Sequence, residues 1–75
     1  MRIRVKLMGV LKEKSPPGGE LEIAEGTSVG DVLRKLDITT HQVHVCTVNG
    51  QFVKDHGLQL READELTVFP PVGGG

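Results

Sequence analysis

From Arg2 to Leu7 the chain alternates strictly, with Ile3, Val5 and Leu7 on one side and Arg2, Arg4 and Lys6 on the other. A period of two with a charged outer face predicts a half-buried β-strand, because successive side chains of an extended backbone leave from opposite faces. Lys12 to Gly19 contains Ser15-Pro16-Pro17-Gly18-Gly19. There the prolines fix φ and remove donors while the glycines admit positive φ, so a loop is expected. Alternation resumes from Glu20 to Ala24, with Leu21 and Ile23 inward and Glu20 and Glu22 outward. Strand, turn-rich loop and strand together predict a hairpin.

After Glu25-Gly26-Thr27 the period changes. Val29, Val32, Leu33 and Leu36 fall at i, i+3, i+4 and i+7, one face of a helix of about eight residues. Ser28 is placed to cap it, with Asp31 as the acidic member of a capping box, and Arg34 and Lys35 suit the opposite pole of the helix dipole. So short a helix must be held by packing on a sheet. Val43 to Val48 is rich in β-branched residues and runs into Asn49-Gly50, a hairpin turn, with Gln51 to Lys54 as the return strand. Leu58 and Leu60 lie in a connection, Arg61 to Glu65 is a polar turn, and Leu66 to Phe69 forms a last strand. Leu66 and Val68 face one way along it and Thr67 and Phe69 the other. This order predicts an α+β fold, a mixed sheet of four to five strands with one main helix packed across one face. Residues 1–69 make the folded domain and residues 70–75 a flexible tail.

Size and charge narrow the function. A chain of 75 residues buries only about 60% of the surface that its unfolded form exposes, enough for one core but not for a core and a deep substrate pocket. Nine Lys and Arg against ten Asp and Glu give no electrostatic grip on nucleic acid, and Phe52 and Phe69, the only aromatics, offer no platform for stacking bases. Charges at alternate positions near Met1 break up any long apolar stretch, so the expected location is cytoplasmic. One cysteine, Cys46, allows neither an internal disulfide nor a cysteine-rich metal set.

The residues that bear chemistry are the last six, Pro70-Pro71-Val72-Gly73-Gly74-Gly75. They follow directly on an apolar strand, so their root is anchored in the fold. Pro70 and Pro71 cannot donate to a sheet ladder and favour an extended path away from the body. Six extended residues reach at most roughly 20 Å, enough to pass down a narrow tunnel into a partner's active site. Side chains would clash there, and a carboxylate on Gly75 would be open to attack. The bland alternative is a frayed, glycine-rich end without a role.

Tail, element order and length together resemble the MoaD/ThiS family of sulfur carriers over the whole of residues 1–75. The most specific stretch is Asp64-Glu65-Leu66-Thr67-Val68-Phe69-Pro70-Pro71-Val72-Gly73-Gly74-Gly75, which is similar to the acidic turn, final strand and Gly-Gly ending of molybdopterin-synthase small subunits. Glu25-Gly26-Thr27-Ser28-Val29 and Val48-Asn49-Gly50 are weaker likenesses. The resemblance implies a ubiquitin-like β-grasp fold and a carrier rather than an enzyme. It binds no cofactor itself; ATP is used by a ubiquitin-activating-enzyme-like adenylyltransferase that activates Gly75. Sulfur from a persulfide then yields a thiocarboxylate on Gly75. A sulfur-accepting synthase, either a molybdopterin-synthase large subunit or a thiazole synthase, takes the tail. Gly73 and Gly74 correspond to the residues that thread into partners, and Phe69, Pro70, Pro71 and Val72 to a partner-contacting patch at the tail's root. Two positions depart from the pattern: Gly73, where Ala or Thr is common, and Ala63, where a Gly-Asp pair is usual. The chain is also shorter than typical molybdopterin-synthase subunits, which leaves the thiamine branch, or a tungsten/molybdenum-enzyme-associated branch, open.

Other candidates are weaker. If Leu66 and Val68 face the core, Phe69 faces out beside the tail and can anchor an interface. His41, His44 and His56 lack a completing cysteine or carboxylate cluster and read as solvated positions rather than metal ligands. Cys46 sits among valines as a small apolar filler. Arg2, Arg4 and Lys6 are read first as a soluble sheet face, and second as a stripe for an acidic partner. Two further classes remain open at this point. One is a modifier joined through Gly75 to lysines, and the other is a plain interaction domain.

Overall fold

The computed structural model describes residues 1–72. Five strands form one mixed sheet: β1 (Arg2–Leu7), β2 (Glu20–Glu22), β3 (Val45–Val48), β4 (Gln51–Val53) and β5 (Glu65–Phe69), in the order β2-β1-β5-β3-β4. The first and last strands are parallel neighbours at the centre, and every other pairing is antiparallel. One helix, α1 (Val29–Lys35), serves as the crossover cover that a parallel pair requires. Its Val29, Val32 and Leu33 join Ile3, Val5 and Leu7 of β1, Cys46 of β3, and Leu66 and Val68 of β5 in a single core.

The helix starts where its capping chemistry dictates. The Asp31 N–H donates to Ser28 Oγ at 3.1 Å, and the Ser28 N–H donates to Asp31 Oδ2 at 3.0 Å, so two otherwise orphaned donors are satisfied. The Ser28 backbone N–H, then the Ser28 hydroxyl, then Arg34 hold the Asp31 carboxyl below its ordinary value. Leu36 closes the last turn with its N–H on Val32 at 3.0 Å.

Several boundaries differ from those expected: β4 ends at Val53 rather than Lys54, β5 begins at Glu65 rather than Leu66, and three further differences have a visible cause. The β1–β2 connection is not plain loop, since 3-10 turns occupy Gly9–Lys14 and Pro17–Gly19 and bury Leu11 at 1% exposure. An apolar side chain at that position folds the loop down onto the core. Strand β2 stops at Glu22, although the Ile23 N–H still reaches the Met1 carbonyl at 2.8 Å. Strand β3 begins at Val45 rather than Val43, because Thr40–Gln42 form a 3-10 turn in which Gln42 Oε1 accepts from the Thr39 N–H at 2.9 Å.

Asn49 ties the β3–β4 turn to the start of β5. Its Oδ1 accepts from the Glu65 N–H at 2.9 Å and its Nδ2 donates to Asp64 Oδ1 at 2.8 Å. Asp64 Oδ2 in turn accepts from the Arg61 N–H at 2.8 Å. Both Asn49, at φ 52°, and Ala63, at φ 68°, take left-handed backbone. Asn tolerates that conformation better than Ala does, so Ala63 is where the departure from glycine carries strain.

Candidate functional site: the root of the C-terminal tail

Alternation along β5 decides which side chains meet the tail. Leu66 and Val68 are fully buried under the helix side, so Phe69 must emerge on the open face, where it is 36% exposed. Its cross-strand partner is Val45, which shares that face. One strand further out in the sheet, Phe52 pairs with Thr47, so it too lies on the open face and is 76% exposed. From the other side the 3-10 turn after β1 brings up Val10 at 79% exposure. Val10, Val45, Phe52, Phe69, Pro70 and Val72 line one shallow, largely apolar depression around the point where the chain leaves the sheet, with His44 at its border. Uncovered apolar side chains are common singly; a contiguous set of this kind marks a surface that something covers.

The root itself is clamped from both flanks. The Met8 N–H donates to the Val68 carbonyl at 3.0 Å, and the His44 N–H donates to the Phe69 carbonyl at 2.8 Å. Pro70 then ends the ladder because it has no N–H to continue it. Pro70 is half-buried, whereas Pro71 and Val72 are exposed. Phe69, Pro70, Pro71 and Val72 therefore come together at the tail's root. The remaining positions singled out from sequence, Gly73, Gly74 and Gly75, lie outside the described residues.

Val10 and Phe52 were not assigned to this patch from sequence, though both left a signal. Phe52 is fixed in parity by the two-residue Asn49-Gly50 turn, which places it opposite Thr47 on the outer face. Val10 is an apolar residue within the turn, beside a Leu11 that points inward.

The weaker candidates fall apart in space. His41 and His44 are exposed, and His56 is half-buried with Nε2 3.5 Å from Cys46 Sγ. Among the described residues no group of three His, Cys, Asp or Glu could hold a metal ion. Cys46 is 1% exposed, and burial pushes its thiol up, away from the reactive thiolate. The basic stripe of β1 divides. Arg2 is engaged by Glu22 at 2.9 Å and by Glu20 at 3.7 Å, while Arg4 and Lys6 make no ion pair among the described residues. No helix among the described residues is long and apolar enough to cross a membrane.

A family model described as the ThiS family matches residues 5–75. No curated protein matches the chain. Among solved structures, a putative molybdopterin converting factor subunit 1 from Pyrococcus furiosus superposes with a TM-score of 0.75 at 23% identity, over 96% of this chain and 99% of that one. The small archaeal modifier protein 1 of Haloferax volcanii does so with a TM-score of 0.71 at 22% identity, over 95% and 98% of the two chains. A protein–protein complex of subunits 1 and 2 of the molybdopterin-converting factor from Helicobacter pylori gives a TM-score of 0.63 at 18% identity, with both chains covered in full. These likenesses establish the ubiquitin-like β-grasp fold.

Proposed function

The chain belongs to the ThiS family, and on that premise we propose that it is a cytoplasmic sulfur carrier whose working group is the carboxylate of Gly75. The observation that carries this is the apolar surface of Val10, Val45, Phe52, Phe69 and Val72 gathered around the root of the tail. A partner seated on that surface receives the chain end at a fixed place on its own surface. Burial of those side chains offsets the entropy lost when the glycines are ordered in its active site.

The chemistry then belongs to the partners. In an adenylyltransferase, the Gly75 carboxylate attacks the α-phosphorus of ATP and pyrophosphate leaves. That turns a poor electrophile into an acyl-adenylate. A persulfide sulfur attacks the acyl carbon and AMP leaves, and a second thiol cleaves the resulting acyl disulfide to give the thiocarboxylate. A sulfur-accepting synthase takes the loaded tail, in molybdopterin or in thiazole formation. Arg4 and Lys6, exposed on the strand beside β5, favour partners that present carboxylates at the rim of the docked surface. The likeness in fold to a protein–protein complex of subunits 1 and 2 of a molybdopterin-converting factor supports a synthase as the second partner.

Mass spectrometry of the protein isolated from its native host tests this. Exchange of one terminal oxygen for sulfur is the expected result. Isopeptide bonds from Gly75 to lysines of other proteins, with no sulfur on Gly75, would replace the carrier with a protein modifier, the role named for the archaeal structural relative.

A further inference from the structure

Gly9 lies where the connection after β1 passes against the first residue of the tail. Its φ is +55°, in the left-handed region that disfavours side chains. Gly18 at +68° and Gly26 at +89° share that property, yet a Cβ built on either would meet nothing within 4 Å. A Cβ on Gly9 would lie 3.1 Å from Cγ and 3.8 Å from Cδ of Pro70. Carbon atoms rest about 3.5–4.0 Å apart, so one of the two groups would have to give way.

The bonds behind Pro70 decide how it can move. With the Val68 carbonyl held by Met8 and the Phe69 carbonyl held by His44, β5 cannot shift without breaking hydrogen bonds on both flanks. The Pro70 ring is fixed to the Phe69 peptide plane and proline locks φ, so relieving a contact at its Cγ means tilting that plane against the His44 bond, and such a tilt redirects the residues that follow. We infer that Gly9 is a positioning residue: its bare backbone is the seat on which the Pro70 ring rests, and that seat sets the angle at which the tail leaves the body. The consequence rests on the carrier function proposed above, in which a terminal carboxylate has to meet a partner's ATP. A few tenths of an ångström at the ring grows to an ångström or so at Val72, roughly 7 Å further along the chain. Misplacement on that scale can cost up to about a hundred-fold in rate.

The test compares Gly9→Asn with Gly18→Asn. Asn accepts left-handed backbone, so both variants carry a similar conformational cost, and only the first sets a Cβ against Pro70. ATP–pyrophosphate exchange catalysed by the host's adenylating enzyme gives kcat and KM for each full-length chain, and residual dipolar couplings of the Val72 N–H report its direction without any enzyme. Gly9→Asn should lower kcat about ten-fold with KM changed less than about two-fold, and should alter the Val72 coupling. Gly18→Asn should match the native chain in all three. Native kcat in Gly9→Asn, equal losses in both variants, or an unmoved Val72 coupling would overturn the assignment. If the native chain supports no exchange at all, the carrier function fails, and the Val72 couplings then decide on their own whether Gly9 directs the tail.

Discussion

Strand β5 is a wall shared by two unlike surfaces. On one side Leu66 and Val68 have no exposed area, closed over by Val29, Val32 and Leu33 of α1 and by the loop residues Leu11, Ile38 and Leu60. On the other, Thr67 and Phe69 belong to a face that the chain leaves bare, charged along β1 and β2 and apolar only where the tail departs. The same alternation builds both. The difference is that the first face is satisfied within the molecule, whereas in the function proposed above the second gains its burial free energy only when a partner docks. Substitutions on the two sides of one strand should therefore separate stability from function.

The largest expected effect on folding is on the covered side. Leu66→Ala removes a fully buried side chain and should cost about 2–5 kcal/mol, or about eight degrees or more in Tm at the usual ~4–8 °C per kcal/mol for a domain of this size. Thermal unfolding that moved by less than a few degrees would erase the distinction between the faces. Next comes the open side. Phe52→Ser, at 76% exposure, should leave Tm nearly unchanged. If Phe52 anchors the interface, the same variant should weaken binding to the adenylating enzyme about thirty-fold, as an anchor worth roughly 2 kcal/mol does. Titration calorimetry showing native affinity would remove Phe52 from the docking surface.

Smaller effects sharpen how the cover is attached. Ser28→Ala deletes the acceptor at the start of α1 and should cost about 1 kcal/mol, readable as a shift of the urea midpoint with an unchanged slope. The acid limb comes last. Because the folded state holds the Asp31 carboxyl below its ordinary value, the stability it contributes is present above that ordinary value and is lost as pH falls through the lower folded one. Asp31→Asn should thus flatten the acid limb of the stability–pH curve relative to the native chain, and superimposable limbs would show that the cap does not titrate.

Much of the division was legible in the chain. Strict alternation in Ile3, Val5 and Leu7 and in Leu66 and Val68 placed the sheet's inner face, and the Ser28–Asp31 spacing placed the start of the helix within one residue of its observed position. The breaks came where tertiary contact overrides local pattern. Leu11 draws an apparent loop into 3-10 turns, and the Thr39–Gln42 turn takes Val43 out of β3. For the site, Phe69 and the prolines could be read from parity and position. Val10 could not, because its approach to the tail depends on a turn geometry that no period encodes. Gly9 was invisible for the same reason, since a missing Cβ has meaning only once Pro70 is known to lie against it.

The central claim is that partners meet the open face around the tail's root and leave the helix side untouched. Titrating the host's adenylating enzyme into isotopically labelled chain and following the methyl, aromatic and amide signals of both faces tests it most directly. Val10, Val45, Phe52, Phe69 and Val72 should shift while Val29, Val32 and Leu33 hold still. Perturbation centred on α1, with the tail's root unmoved, would contradict it.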